Sequence, residues 1–272
     1  MRPRKVALTG HFGEFLQGRL GAEGPVALVT LPCPVARAEV TFTPRAHAPL
    51  VASGPLAPLL RRAATAARGQ GMRGLGGVLH LRHNVPPGGG AGLSTMAALG
   101  TIRALRGPSD AAPEAALCLA VEGATDPLMH REPGRLLWAS REARIVETLP
   151  PAPRFTVAAG FLGPPLRTDP TSTDFADIAD LVDGWRRAAQ AGDAPAAAAI
   201  ATASAERNGR PTGPAAALKA CADALGALGI AAAHTGSAVC LLFAHGDRAR
   251  ASAGAAALAT LGATGIRRFE TP

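Results

Sequence analysis

Pro86-Pro87-Gly88-Gly89-Gly90-Ala91-Gly92-Leu93-Ser94-Thr95-Met96-Ala97-Ala98 is the most informative stretch of the chain. The double proline ends any strand that precedes it. Gly88, Gly89, Gly90 and Gly92 free the backbone for positive φ angles and for close approach to a ligand. An Ala/Leu-rich helix follows to about residue 106, with Ser94 or Thr95 expected as its cap. Amide hydrogens at a helix start, with roughly half a positive charge from the helix dipole, suit a polyphosphate, and a first-turn hydroxyl can reach its magnesium. No Gly-Lys-Ser/Thr follows, so this is not a Walker A loop, and Leu93 stands where G-x-G-x-x-G needs its third glycine. On these residues alone, a flexible turn before a helix remains the alternative.

Upstream, residues 77–83 alternate apolar and polar side chains as one strand, and a helix is expected over 57–67 after Pro55. Short segments at 5–9, 26–31 and 36–43, separated by glycine and proline, read as antiparallel strands. Downstream, a helix from near Pro113 carries Ala116, Leu117, Leu119, Ala120 and Val121 on its apolar face and then Glu122. Pro127 forces Asp126 out of helical geometry, so the two acids can converge at the helix end. One carboxylate would hold magnesium while the other orients or deprotonates a hydroxyl nucleophile. Taken by themselves, the two also fit a solvated helix terminus.

After Pro150-Pro151 the composition shifts. A strand at 155–161 leads to a loop containing Thr168, Asp169, Pro170, Thr171, Ser172 and Thr173. Helices follow at about 175–191 and 194–206, then a break from Pro211 to Pro214, a helix at about 215–228, a buried strand at 239–243 and a helix at 248–261. This makes an α+β unit, with a domain boundary expected near residue 150 that divides 1–150 from 151–272. The Arg-rich C-terminus and the alanine tracts read as surface and helix filler.

At 272 residues, 47% hydrophobic and 18% charged, the chain can bury a core without metal or disulfide help. The net charge of +8 invites a polyanion reading, yet all but Lys5 and Lys219 of the 28 basic residues are arginine, and the chain has no tyrosine. That pattern reads first as codon bias in a GC-rich genome. Arginine pairs such as Arg61-Arg62, Arg186-Arg187 and Arg267-Arg268 are scattered, and aromatics are only 4%, so no nucleic-acid groove is expected. No apolar run is long enough for a membrane span. Gly10, His11, Gly13 and Glu14 interrupt any signal-peptide core, which makes a cytoplasmic location the expectation. Cys33, Cys118, Cys221 and Cys240 lie far apart and are expected as buried free thiols. The seven histidines show no metal-binding spacing.

Three segments in this order resemble the GHMP kinases, small-molecule kinases named for galactokinase, homoserine, mevalonate and phosphomevalonate kinases. Residues 86–98 look like the family's second motif, Pro-x-x-x-Gly-Leu-Gly-Ser-Ser-Ala-Ala, and residues 233–240 look like its third, a small-residue loop closing over the phosphates. Gly13-Glu14-Phe15-Leu16-Gln17-Gly18, Cys33-Pro34-Val35, Glu122 with Thr125-Asp126, and His234-Thr235-Gly236-Ser237 are similar to the L-threonine kinase branch associated with cobalamin synthesis and propanediol utilisation. The resemblance spans about residues 8–245. His234 and Val239 stand where many members have lysine and glycine.

The resemblance implies a two-domain α+β fold, the first domain like domain 2 of ribosomal protein S5 and the second ferredoxin-like. It implies ATP and Mg2+ as cofactors and the side-chain hydroxyl of L-threonine as acceptor. Pro86 to Thr95 would hold the nucleotide, together with Thr235, Gly236 and Ser237. Ser94, with Thr95 as substitute, and Glu122 would flank the metal, and Asp126 would act on the hydroxyl. Gly13, Glu14, Gln17, Asp126 and His234 would meet the substrate, Glu14 through its ammonium, while one arginine without an assignment would bind its carboxylate. Another small alcohol such as homoserine or an isoprenoid, or a nucleotide-binding sensor without turnover, are the alternatives. A monomer or a homodimer is expected, with no nucleic-acid or membrane partner.

Overall fold

Glycines 10, 13 and 18 do not end the first strand; they let it bend. In the computed structural model, which describes residues 2–69, 75–166, 169–172, 174–208 and 214–272, β1 (Arg4–Arg19) pairs antiparallel with β2 (Val26–Ala46). Their register slips between Thr9 and Gly10, His11 and Glu14, and Glu14 and Leu16. Such bulges bend a strand and re-aim its side chains. The segment expected only as strand to residue 9 therefore continues through His11, Glu14 and Gln17. The two strands expected at 26–31 and 36–43 are likewise one. Pairing jumps from Thr9 opposite Arg37 to Gly10 opposite Cys33. The Asn84 side chain bridges that bulge, accepting from the Arg37 amide at 2.8 Å and donating to the Val35 carbonyl at 2.9 Å.

The chain continues through β3 (Leu50–Ala52), α1 (Ala57–Arg68), β4 (Leu75–His83), α2 (Leu93–Arg106), α3 (Ala111–Glu122), β5 (Leu136–Ala139) and β6 (Arg144–Thr148). Then come β7 (Phe155–Phe161), α4 (Ala179–Ala191), α5 (Ala194–Arg207), α6 (Pro214–Ala224), β8 (Gly229–Ala232), β9 (Ala238–Ala244), α7 (Arg248–Thr260) and β10 (Thr264–Glu270). One sheet runs β10-β7-β9-β8-β1-β2-β4-β3, with β5 attached to β2 and β6 to β5. Glu14 opposite Ala232 joins β1 to β8, where strands from before and after residue 150 meet.

The structure departs from expectation where elements are short or polar. Strands β3, β5, β6, β8 and β10 were not expected, since three to five residues show little alternation and β10 carries Arg267 and Arg268 at a sheet edge, where charge is tolerated. Helix α4 starts at Ala179 rather than 175, because the Asp177 carboxylate accepts the amides of Ala179 and Gly21 and holds residue 177 beside Arg19. Helix α6 stops at Ala224, and the turn through Gly226, φ +63°, feeds β8. Thr168, Thr173 and Pro211 lie outside the described residues. All four cysteines are free, but Cys221 is only half-buried. Among the described residues no helix is long and apolar enough to cross a membrane.

Helix α2 is the centre of the first half. Its run of Leu, Met, Ala, Ile and Thr is buried nearly all round against β1, β2, α1 and α3. Arg103 near its end grips Glu114 of α3, which is fully buried, with Nε donating to Oε1 at 2.9 Å and Nη2 to Oε2 at 2.6 Å. The Ser109 amide adds a bond to Oε1 at 3.0 Å. That fork fixes α3 on α2, so the C-terminal residue of one helix stands beside the N-terminal turn of the other.

Candidate active site

The carbonyls of Gly88, Gly89 and Gly90 are each held by another part of the chain. Leu166 N donates to Gly88 O at 3.0 Å, Ser237 N and Ala238 N donate to Gly89 O at 3.1 and 2.8 Å, and Gly13 N donates to Gly90 O at 3.0 Å. Pro86 O accepts Gly89 N at 3.2 Å and closes the turn, with Pro87 half-buried beside it. Three segments far apart in sequence therefore converge on Gly88 to Gly90. Gly236 packs so closely that a Cβ there would lie 2.6 Å from Gly90 N, which lays Thr235, Gly236 and Ser237 against the loop.

The first bond of α2 runs from Met96 N to Gly92 O at 2.9 Å, so the amides of Leu93, Ser94 and Thr95 precede the helical ladder. Gly92 is the N-cap, with φ +71°, and a Cβ there would meet His11 Cδ2 at 2.8 Å. Glycine is required on both counts. Neither Ser94 nor Thr95 caps the helix, contrary to expectation, because Gly92 supplies the turn and both hydroxyls are engaged with carboxylates. Ala91 and Leu93 are buried in the core, whereas Ser94 is exposed at the mouth.

Glu122 and Asp126 meet at this helix start. The buried Thr95 hydroxyl lies 3.3 Å from Glu122 Oε2 and 3.3 Å from Asp126 Oδ2, and the Asp126 amide donates back to Thr95 Oγ1 at 3.2 Å. Thr125 Oγ1 lies 3.5 Å from Glu122 Oε1, and the Ser94 hydroxyl is close enough to favour the ionised form of Glu122. Burial lifts the Glu122 carboxyl to about 8, against the pull of the Ser94 hydroxyl and with the Asp126 charge adding to the rise. The two acids are thus driven apart in proton affinity, which suits them to different tasks.

Asp126 is kept ionised by a residue that sequence reasoning missed. His11 Nε2 lies 3.1 Å from Asp126 Oδ2, whose side chain is 21% exposed. Burial raises the Asp126 carboxyl, but the attraction of the His11 imidazolium outweighs it and holds the group below its usual range. For His11, burial acts to lower the pKa, and attraction by Asp126 and Glu14 reverses this and lifts it to about 9. Glu14 is 7% exposed with Oε1 3.6 Å from His11 Nδ1. Its carboxylate, which the resemblance would set against a substrate ammonium, has His11 as a neighbour. The only sequence signal for His11 is its spacing of three from Glu14, which becomes a shared face because of the bulges in β1.

The stability contributed by charged His11 is fully present below its unfolded pKa near 6.5 and is lost as pH rises through about 9. Urea unfolding at pH 6 and pH 9.5 is expected to show wild type losing about 3 kcal/mol relative to His11→Gln over that interval. Parallel curves for the two proteins would mean that His11 is neutral throughout.

Gln17 lies farther along β1, and His234 lies in the loop between β8 and β9. The His234 amide donates to Gln17 Oε1 at 3.3 Å, and its imidazole stacks on Phe175 with centroids 4.2 Å apart. Phe175 and Arg141, which lies over the Phe175 ring, carried no sequence signal.

Among the described residues no group of three or more His, Cys, Asp or Glu forms a metal cage. The oxygen donors of Glu122, Ser94 and Thr95 fit a hard cation that keeps water and phosphate ligands, and the mutual repulsion of Glu122 and Asp126 favours one.

No family model matches the chain, and a search among curated proteins finds no match. Solved structures do resemble it. They include the Streptococcus pneumoniae phosphomevalonate kinase, with TM-score 0.70 and 13% identity over 99% of each chain. L. major mevalonate kinase in complex with R-mevalonate has TM-score 0.68 and 14% identity over 98% of this chain and 95% of that one. Cytophaga hutchinsonii homoserine kinase has TM-score 0.65 and 11% identity over 98% and 94%. The chain adopts the α+β fold that these kinases share.

Proposed function

We propose that this protein is an ATP-dependent kinase that phosphorylates the side-chain hydroxyl of L-threonine, giving O-phospho-L-threonine for the aminopropanol linker of cobalamin. The reading includes a nucleotide-binding unit over 1–150 and a second unit over 151–272. What supports it best is the meeting of Glu122, Asp126, Ser94 and Thr95 at the start of α2, beside Gly88, Gly89 and Gly90, whose carbonyls are turned to other partners.

In this reading the amides of Leu93, Ser94 and Thr95 bind the phosphates, aided by the helix dipole. Ser94 and Glu122 would hold Mg2+, which would supply charge neutralisation on the phosphate oxygens. The Asp126 carboxylate receives the hydrogen bond of the acceptor hydroxyl and takes its proton as the new O–P bond forms and the bond from the γ-phosphorus to the β–γ bridging oxygen breaks, with ADP leaving. His11 is a positioning residue that keeps Asp126 deprotonated and fixed, and Glu14 in turn holds His11. Thr235, Gly236 and Ser237 close over the nucleotide. Catalysis is then mostly alignment and charge stabilisation.

An ADP-release assay with Mg-ATP and a panel of L-threonine, L-serine, L-homoserine and mevalonate tests this. ADP formation is expected to depend on L-threonine. Preference for homoserine or mevalonate would reassign the substrate, and ATP binding without any acceptor-stimulated release would favour a sensor.

A further inference from the structure

The backbone around Arg141 is fastened to the acid loop. Thr125 N donates to Ser140 O at 2.9 Å, so Arg141 follows the residue that anchors the neighbour of Asp126. Its Nη2 donates to Asp169 O at 3.4 Å, and the next residue, Pro170, packs on Gly123, between Glu122 and Asp126; a Cβ on Gly123 would lie 2.9 Å from Pro170 Cβ. On the other side the guanidinium carbon stands 5.0 Å from the centre of the Phe175 ring, which stacks on His234 beside Gln17. Arg141 thus stands on a rim that joins the acid loop to the Gln17 and His234 wall.

Among the described residues, two other charges act on it. Arg19 repels it, and Asp169, whose carboxylate is tied to Thr171 Oγ1 at 2.7 Å, attracts it. Two guanidiniums and one carboxylate leave a single positive charge, which matches a monoanion better than a phosphate dianion. A ring against one face leaves the edge of the guanidinium for a planar, two-oxygen partner. Burial and Arg19 also hold its pKa below the usual arginine value, so an added anion would relieve the site.

We infer that Arg141 recognises the carboxylate of the substrate, a specificity role that rests on the kinase reading above. The acceptor would then be a hydroxy acid, its hydroxyl toward Asp126 and its carboxylate toward the Phe175 rim.

Arg141→Met and Arg141→Lys, assayed with L-threonine and with L-threoninamide, test the assignment. With Arg141→Met, KM for L-threonine is expected to rise about 10- to 100-fold with kcat within about threefold, while KM for the amide stays unchanged. Arg141→Lys, which keeps the charge but loses the fork, should fall between. Equal unfolding midpoints in urea check that the variants fold alike. Unchanged KM for L-threonine, or equal changes for acid and amide, would overturn the role of Arg141 while wild-type turnover leaves the kinase reading standing. Wild type without turnover of either compound would defeat both.

Discussion

Asp126→Asn is expected to lower kcat by about 100- to 10,000-fold while Mg-ATP binding stays within about threefold. The amide keeps the size of the side chain and its reach to Thr95, but it cannot take a proton. The variant should also fold, because His11 keeps Glu14 as a counter-charge once Asp126 is neutral. Single-turnover kinetics with calorimetric nucleotide binding separates the two effects. Turnover near the wild-type rate would remove Asp126 from the chemistry and leave positioning by the glycine loop as the source of the rate.

Glu114→Ala should cost about 3–5 kcal/mol of stability, seen as a drop in melting temperature of about 10 °C. The carboxylate is fully buried and receives three bonds from the Arg103 side chain in fork geometry as well as the Ser109 amide. Its removal leaves a guanidinium that is only 20% exposed without a counter-charge. Replacing both partners, as in Arg103→Met with Glu114→Leu, should recover much of the loss, since a well-packed apolar pair avoids stranding either charge. If the single variant melts with wild type, the fork does not anchor α3. Activity should fall further than stability explains, because this fork aligns Glu122 with Ser94.

Much of the site was legible before the fold. The double proline and the glycines of residues 86–92 dictate a turn by local sterics, and the Ala/Leu run after them dictates a helix. Pro127 keeps Asp126 out of helical geometry, although the helix already ends at the left-handed Gly123. These are short-range constraints that a single sequence carries by itself, and the elements observed at 57–68, 93–106, 155–161 and 238–244 lie within a residue or two of where the sequence placed them.

The partnerships were not legible. His11 read as an interruption of an apolar run, and only the bulged pairing of β1 with β2 carries it beneath Asp126. Arg141 was one of many scattered arginines until Phe175 came up under it. Ser94 and Thr95 looked like caps because hydroxyls at a helix start usually are; the carboxylates of Glu122 and Asp126, delivered by α3, compete for them and Gly92 takes the cap. The local sequence determined which backbone conformations the chain can adopt. Which charges face one another, and so which acid stays ionised, depends on distances that exist only once β1, α2 and α3 are packed, because electrostatic energies fall with separation in space and take no account of separation along the chain.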